Sequence, residues 1–225
     1  MAQRWHDLLF AHWPLEPRLL RPLVPAELTL EEWDGAAWIG VIPFRLLDLT
    51  RRPLPGARWR FSFLELNVRT YVRVGDQAGV YFFSLDASSP LAVAGARLLF
   101  QLPYYPARME SGEDGGWITY DSRRWRGGAE FAGRYRPVGD PFVAEADSFD
   151  HWLTERYCLY TVSRRGRVLR ADIDHPPWRL QRAEAEIRRN TMTRPLGLEL
   201  PEVPPVLHFS RRQEVVNWNP ERVVG

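Results

Sequence analysis

The residues of this chain that could do chemistry together fall on one stretch, FSFLELNVRTYVRVGDQAGVYFFSLD, from Phe61 to Asp86. Glu65, Asn67, Arg69 and Tyr71 stand at every second position: an acid, an amide, a cation and a phenol. A strand puts all four on one face. On such a face Arg69 would hold the carboxylate of a small ligand, because its forked donors match carboxylate geometry. Glu65 would move a proton, a role that requires its carboxyl to be withdrawn from water so that its pKa rises towards neutrality. Neighbours on one strand face are roughly 7 Å apart, so Glu65 and Arg69 are separated by about 13 Å at the backbone, with Asn67 between them. A direct ion pair between the two is strained.

Two readings fit this row. Alternating polar residues commonly form the solvated outer face of an antiparallel sheet. The other reading is a cavity wall, and the neighbouring aromatics favour it: Phe63 and Tyr71 flank the polar residues, and the return strand brings Tyr81, Phe82 and Phe83. Solvated faces carry few large rings. The opposite face, Leu64, Leu66, Val68, Thr70 and Val72, belongs to a core. Whether Tyr81 and Phe83, or Phe82, Ser84 and Asp86, share the face of the row depends on hairpin register. Phe83 is the return-strand aromatic assigned here to the ligand.

The elements that must position this hairpin are many, short and β. A strand at 7–13 stops at Pro14, and a helical turn at 16–21 is ended by Pro22 and Pro25. Residues 28–33 alternate, Asp34-Gly35 signals a hairpin turn, and 37–47 is a long apolar strand in which Pro43 marks an edge or a bulge. The Arg- and Pro-rich 50–56 reads as a surface loop. The spacing predicts a helix over 90–100, started by Ser-Ser-Pro, and a second one capped by Asp147 or Ser148 and running to about Arg156. Residues 104–109 are extended, 117–123 and 129–135 form a hairpin across Gly127-Gly128, and strands follow at 157–163, 168–174, 178–187 and 206–218. About ten strands and two short helices give a mainly β fold, a closed or partly closed antiparallel β-barrel. A chain of 225 residues with 45% hydrophobic content supports one core, and a single domain over 1–225 is expected.

Composition excludes several chemistries. Thirty basic residues are set against 28 acidic ones, which leaves no electrostatic case for nucleic acid or an anionic membrane. The arginine-rich turns at 122–128 and 163–167 are therefore read as solvated loops. All the basic residues are arginine; with no lysine in the chain, no side chain can form a Schiff base. The lone Cys158 lies in the apolar run YCLYTV and reads as a buried small side chain. The histidines, 6, 12, 151, 175 and 208, have no helical metal-ligand spacing, and no metal site is expected. His175, between two aspartates and Pro176-Pro177-Trp178, is the one assigned to the ligand. No phosphate-binding glycine loop and no nucleophile elbow is present, so no cofactor is expected. No run reaches the roughly 18 apolar residues of a membrane span. A cytoplasmic protein without membrane contact is expected, and a homo-oligomer is compatible with the sequence.

LLFAHWP, WDGAAWIGVIPF, ELNVRTYV, GVYFFSLDA, ARLLFQLPYYPARM, ERYCLY, DHPPW and LHFSRR together resemble the uncharacterised bacterial YqjF-like family over nearly the whole chain. That family is similar to the acetoacetate decarboxylase-like superfamily, which implies a closed β structure with a central cavity. Arg97, Phe100 and Pro103 match the Arg-x-x-Phe-x-x-Pro pattern that precedes the paired lysines of that enzyme, and here the two lysine positions are Tyr104 and Tyr105. The resemblance therefore implies the cavity without the decarboxylase nucleophile.

The resulting expectation is a cavity that takes a small, anionic organic molecule. Glu65 and Tyr104 are the candidate catalytic residues, and Asn67, Arg69, Tyr71, Phe83, Tyr105 and His175 the candidate ligand contacts. A lysine-independent lyase or other acid/base enzyme, a carrier or sensor, and an interaction protein with an exposed row all remain open.

Overall fold

The computed structural model describes residues 1–50, 61–163 and 165–223. Beyond Thr50, the expected surface loop at 50–56 lies outside the described residues. The fold is mainly β. Its frame is a run of five antiparallel strands: β1 (Ala2–Leu15), β4 (Ala36–Thr50), β5 (Phe61–Val74), β6 (Gln77–Ala87) and β13 (Val206–Asn217), in the spatial order β13-β1-β4-β5-β6. Two small strands, β2 (Thr29–Leu30) and β3 (Glu32–Trp33), pair with β5 and β4. Between β1 and β2 lies the short helix α1 (Pro17–Leu20), where a helical turn was expected.

Each outer edge of the frame is shared between two continuations. The edge of β6 pairs at Val80 and Tyr81 with β10 (Cys158–Val162), and at Leu85 to Ala87 with β7 (Tyr104–Asp114). β7 continues through β8 (Trp117–Arg124), β9 (Glu130–Phe142) and β12 (Leu180–Asn190), and β12 meets β13 at His208 and Phe209. β10 continues into β11 (Val168–Asp174), which meets β13 at Val216 and Asn217 and also carries β14 (Glu221–Arg222). The sheet thus closes on itself by a long and a short route, and the expected barrel is not a simple cylinder. Gly79 permits the short route: a Cβ there would lie 2.6 Å from Cys158 Sγ and 2.8 Å from its carbonyl oxygen.

The two faces of the frame bury different cores. Leu66, Val68 and Val72 pack with Tyr120, Phe131 and Tyr135 of the long route. The other face carries Phe10, Phe44, Phe63 and Trp178 in one cluster, and Tyr71, Val80, Phe82 and Phe100 in another. Over that face lie α2 (Pro90–Leu99) and α3 (Phe149–Thr154), capped by Ser89 and Ser148. Helix α3 stops at Thr154, short of Arg156. The Asp34-Gly35 turn has φ of 50° and 73°, the left-handed pair that a tight hairpin with matched twist requires. Pro43 is not on an edge, since β4 has a neighbour on each side. The β1–β4 ladder is interrupted between His6 and Ala11, opposite the proline that has no N–H to give.

Candidate functional site

Strand β5 carries the polar row, and its alternation is obeyed without slip from Leu64 to Val72: one set of side chains enters the core shared with β8 and β9, the other faces the helices. Between the second face, α2 and the short route lies a cavity of about 390 Å³. Glu65, Asn67 and Arg69 line it, with exposures of 4%, 6% and 8%, so the row is inside the protein and not on a solvated face. The rest of the wall is chiefly apolar, with Phe44, Phe63, Phe82, Leu85 and Phe100 along it and Ala92, Gly95 and Ala96 of α2 closing one side.

Glu65 sits at the α2 end. Its Oε2 accepts a 2.8 Å hydrogen bond from the hydroxyl of Tyr104, the first residue of β7. Its backbone carbonyl is fixed from behind by Tyr120 of β8, whose hydroxyl lies 2.7 Å from it and 3.0 Å from the Phe44 carbonyl. Burial raises the Glu65 carboxyl to about 8, opposed only by the Tyr104 hydrogen bond. Burial, reinforced by the neighbouring Glu65, drives the Tyr104 phenol well above its ordinary value. The pair therefore holds the carboxyl proton at neutral pH and presents it to a chiefly apolar cavity.

Arg69 reaches the other way. Its Nη2 approaches the Tyr71 hydroxyl (3.4 Å) and the Leu153 carbonyl of α3 (3.3 Å), while its Nε has no partner among the described residues. No carboxylate pairs with it among the described residues. The Tyr71 hydroxyl donates to the same Leu153 carbonyl (2.8 Å) and lies 2.6 Å from Nε2 of the fully buried His12. With that hydroxyl proton committed, His12 is the donor to Tyr71. Burial, and the charge of Arg69 beside it, hold His12 well below its ordinary pKa, so it is neutral.

Five of the residues singled out in the sequence thus meet on one cavity: Glu65, Asn67, Arg69, Tyr104 and His175. His175 makes ordinary strand-end hydrogen bonds, with its Nδ1 2.9 Å from the Pro176 carbonyl and its Nε2 3.3 Å from that of Arg156. Three others do not line the cavity and are corrected here. Tyr71 lies behind Arg69, against His12 and Trp152, as a support. Phe83 packs in the opposite core beside Tyr81, because a bulge between Val68 and Arg69 shifts the hairpin register and places Phe82 across from Arg69. Tyr105 follows Tyr104 in a strand and so points the opposite way, where Arg124 covers its ring at 4.1 Å. Sequence reasoning missed Arg156, Trp5 and Trp178, which also line the cavity. Arg156 and Trp178 fall in ERYCLY and DHPPW, stretches that carried the family resemblance without a chemical pattern of their own. Among the described residues no three His, Cys, Asp or Glu side chains gather as a metal site, and no helix is long and apolar enough to cross a membrane.

The profile of a family described as an uncharacterised conserved protein, DUF2071, matches residues 2–214. This chain belongs to that family. An uncharacterised protein of Bacillus subtilis (strain 168), YqjF, is 50% identical over 219 residues, 97% of this chain and 90% of its own length. Among solved structures this DUF2071 chain is similar to acetoacetate decarboxylase from Legionella pneumophila, with a TM-score of 0.67 at 12% identity over 100% of this chain and 88% of the other. An acetoacetate decarboxylase-like enzyme from Sphingomonas wittichii RW1 gives 0.65 at 12% identity, over 99% and 92%. The enduracididine biosynthesis enzyme MppR, solved in complex with pyruvate, gives 0.64 at 7% identity, over 98% and 89%. Likeness at these identities shows the fold: the DUF2071 chain has the acetoacetate decarboxylase-like architecture, built around a sequence without lysine.

Proposed function

We propose that this protein binds a small organic acid in the cavity, with the ligand carboxylate on Arg69 and its remainder in the apolar space leading to Glu65 and Tyr104. The observation that carries this reading is Arg69, a cation buried in an apolar cavity with no carboxylate partner among the described residues. A buried charge without a partner is costly, and a bound anion is the partner that removes the cost. Glu65 favours a catalytic use over simple carriage. A carboxyl that keeps its proton to about pH 8, hydrogen-bonded to a phenol, is suited to give a proton to a carbonyl or carbanion and to take it back. Without a lysine side chain this chemistry proceeds without the Schiff base of the decarboxylases.

Calorimetric titration of small carboxylates, with pyruvate and hexanoate as probes, tests the reading. Arg69→Met should weaken binding by about 1.5 to 3 kcal/mol, the range for hydrogen bonds to a charged group, and Glu65→Gln should leave binding intact. Equal affinities in the wild type and Arg69→Met overturn it.

A further inference from the structure

Among the described residues, the cavity wall carries more unpaired donors than unpaired acceptors. Trp5 Nε1, Arg69 Nε, Arg156 Nη2 and Trp178 Nε1 are all buried, all belong to residues on the cavity wall, and all are without a hydrogen-bond partner among the described residues, against two orphaned acceptors there, Asn67 Oδ1 and Asn217 Oδ1. Native proteins satisfy nearly all such groups, so a cluster of orphaned donors on one wall calls for an acceptor from outside the chain. The donors are rigidly placed. Both guanidinium groups lie against the Tyr71 ring, Arg69 at 5.6 Å and Arg156 at 5.0 Å from its centre. Trp178 meets the Phe10 ring edge-on at 4.9 Å and Arg69 lies over that same ring at 5.6 Å, whereas Trp5 lies against Phe44, across from Glu65. Arg156 is held through its other nitrogens by Glu31 and by the Trp152 carbonyl, which leaves Nη2 to spare.

Charge decides what the acceptor is. Arg156 is compensated by Glu31, and Arg69 is not compensated among the described residues. Glu65 is the one acid on the described cavity wall, and at neutral pH it is chiefly protonated. Arg69 is therefore short of one negative charge, which a single carboxylate supplies, and the chiefly apolar wall leading to Glu65 disfavours a second. Length is set by the strand. Arg69 reaches towards Tyr71 and Leu153, away from Glu65, while Glu65 turns to Tyr104, and their backbones are about 13 Å apart. With carbon–carbon bonds of about 1.5 Å in staggered array, six to ten carbons span roughly 7 to 12 Å. A three- or four-carbon acid reaches one end or the other.

We propose that Arg69, Arg156 and the indole N–H group of Trp178 form a single carboxylate pocket, and that its ligand is a monocarboxylic acid of about six to ten carbons whose far end lies against Glu65 and Tyr104. The proposal rests on the reading of the cavity as an organic-acid site, and adds to it the second arginine, the ligand charge and the ligand length.

Calorimetry at pH 7 and fixed ionic strength with propanoate, hexanoate, octanoate, decanoate, octanol and octanedioate tests it. Octanoate should bind at least tenfold tighter than propanoate, octanol or octanedioate. Arg156→Gln should weaken octanoate at least tenfold, and Trp178→Phe, which keeps a ring and removes one donor, about threefold or more. Propanoate matching octanoate, octanedioate binding more tightly than octanoate, or octanoate unaffected by both substitutions overturns the proposal. In those cases a dependence on Arg69 leaves the organic-acid reading standing, whereas absence of binding by every carboxylate overturns both. The wild-type length series and Trp178→Phe decide the matter even where Arg156→Gln does not fold.

Discussion

Glu65 makes the sharpest statement at the scale of the residue, because its proton is linked to stability. Its carboxyl titrates at about 8 in the folded chain against 4.5 for a free glutamate. Between those values the folded state binds more protons than the unfolded state, so stability falls as pH rises through the window and is level below it. A shift of this size corresponds to a loss of roughly 5 kcal/mol. Denaturant unfolding from pH 4 to 9 should show this slope in the wild type and a flatter curve in Glu65→Gln. Parallel curves would refute the burial of a titrating Glu65. Among the described residues, Tyr104 alone donates a hydrogen bond that opposes the shift. Tyr104→Phe should therefore move the Glu65 titration upward, which the carboxyl carbon chemical shift of labelled glutamate reads directly, and a downward move would mean that the phenol is not the donor.

Helix α2 closes the cavity at the scale of the element, and its sequence explains both its start and its inner face. Ser89 accepts a hydrogen bond from the Ala92 N–H, and Pro90 occupies the first turn, where its missing N–H costs nothing. Ala92, Gly95 and Ala96 are small enough to leave the cavity open. A Cβ at Gly95 meets no atom within 4 Å. Gly95→Ala should therefore raise stability by roughly 0.5 to 1 kcal/mol, the helix-propensity difference. Gly95→Leu should fold as well but fill the space, lowering octanoate affinity at least tenfold by calorimetry while the melting temperature does not fall. A loss of stability in both variants would place this side of α2 against protein and not against the cavity.

At the scale of the whole molecule, a buried ion pair spans the start of the long route, from β6 across β7 to β8. Arg124 of β8 holds Asp86 of β6 through Nη2 at 2.7 Å and Nε at 3.0 and 3.1 Å, with side-chain exposures of 6% and 0%. Removing one partner of such a pair leaves a buried charge, at a cost of about 3 to 5 kcal/mol. Arg124→Met should lower stability by that amount in denaturant unfolding, and a change below about 1 kcal/mol would show that the junction of β6 with β7 is held by its ladder alone.

The period of two along β5 was readable in the sequence because alternation is a property of the backbone: whatever the strand packs against, Glu65, Asn67 and Arg69 share a face and Leu66, Val68 and Val72 the other. The helix over α2, the Asp34-Gly35 turn and the mainly β class were readable for the same reason, since caps, turn residues and periodicity act over a few positions. Long-range geometry decided the rest. Whether the polar row met water or a cavity depended on β10, β11 and the helices folding over it, and these lie from 21 to over a hundred residues further along the chain. The Tyr104 partner of Glu65 is 39 positions away and the Leu153 carbonyl of Arg69 is 84 away. One bulged residue on β6, Phe83, opposite the step from Val68 to Arg69, put Phe82 in its place on the cavity face. Arg156, Trp5 and Trp178 show no local pattern, because what joins them is a shared wall: their unpaired donors acquire meaning only when the two routes of the sheet bring them round one space.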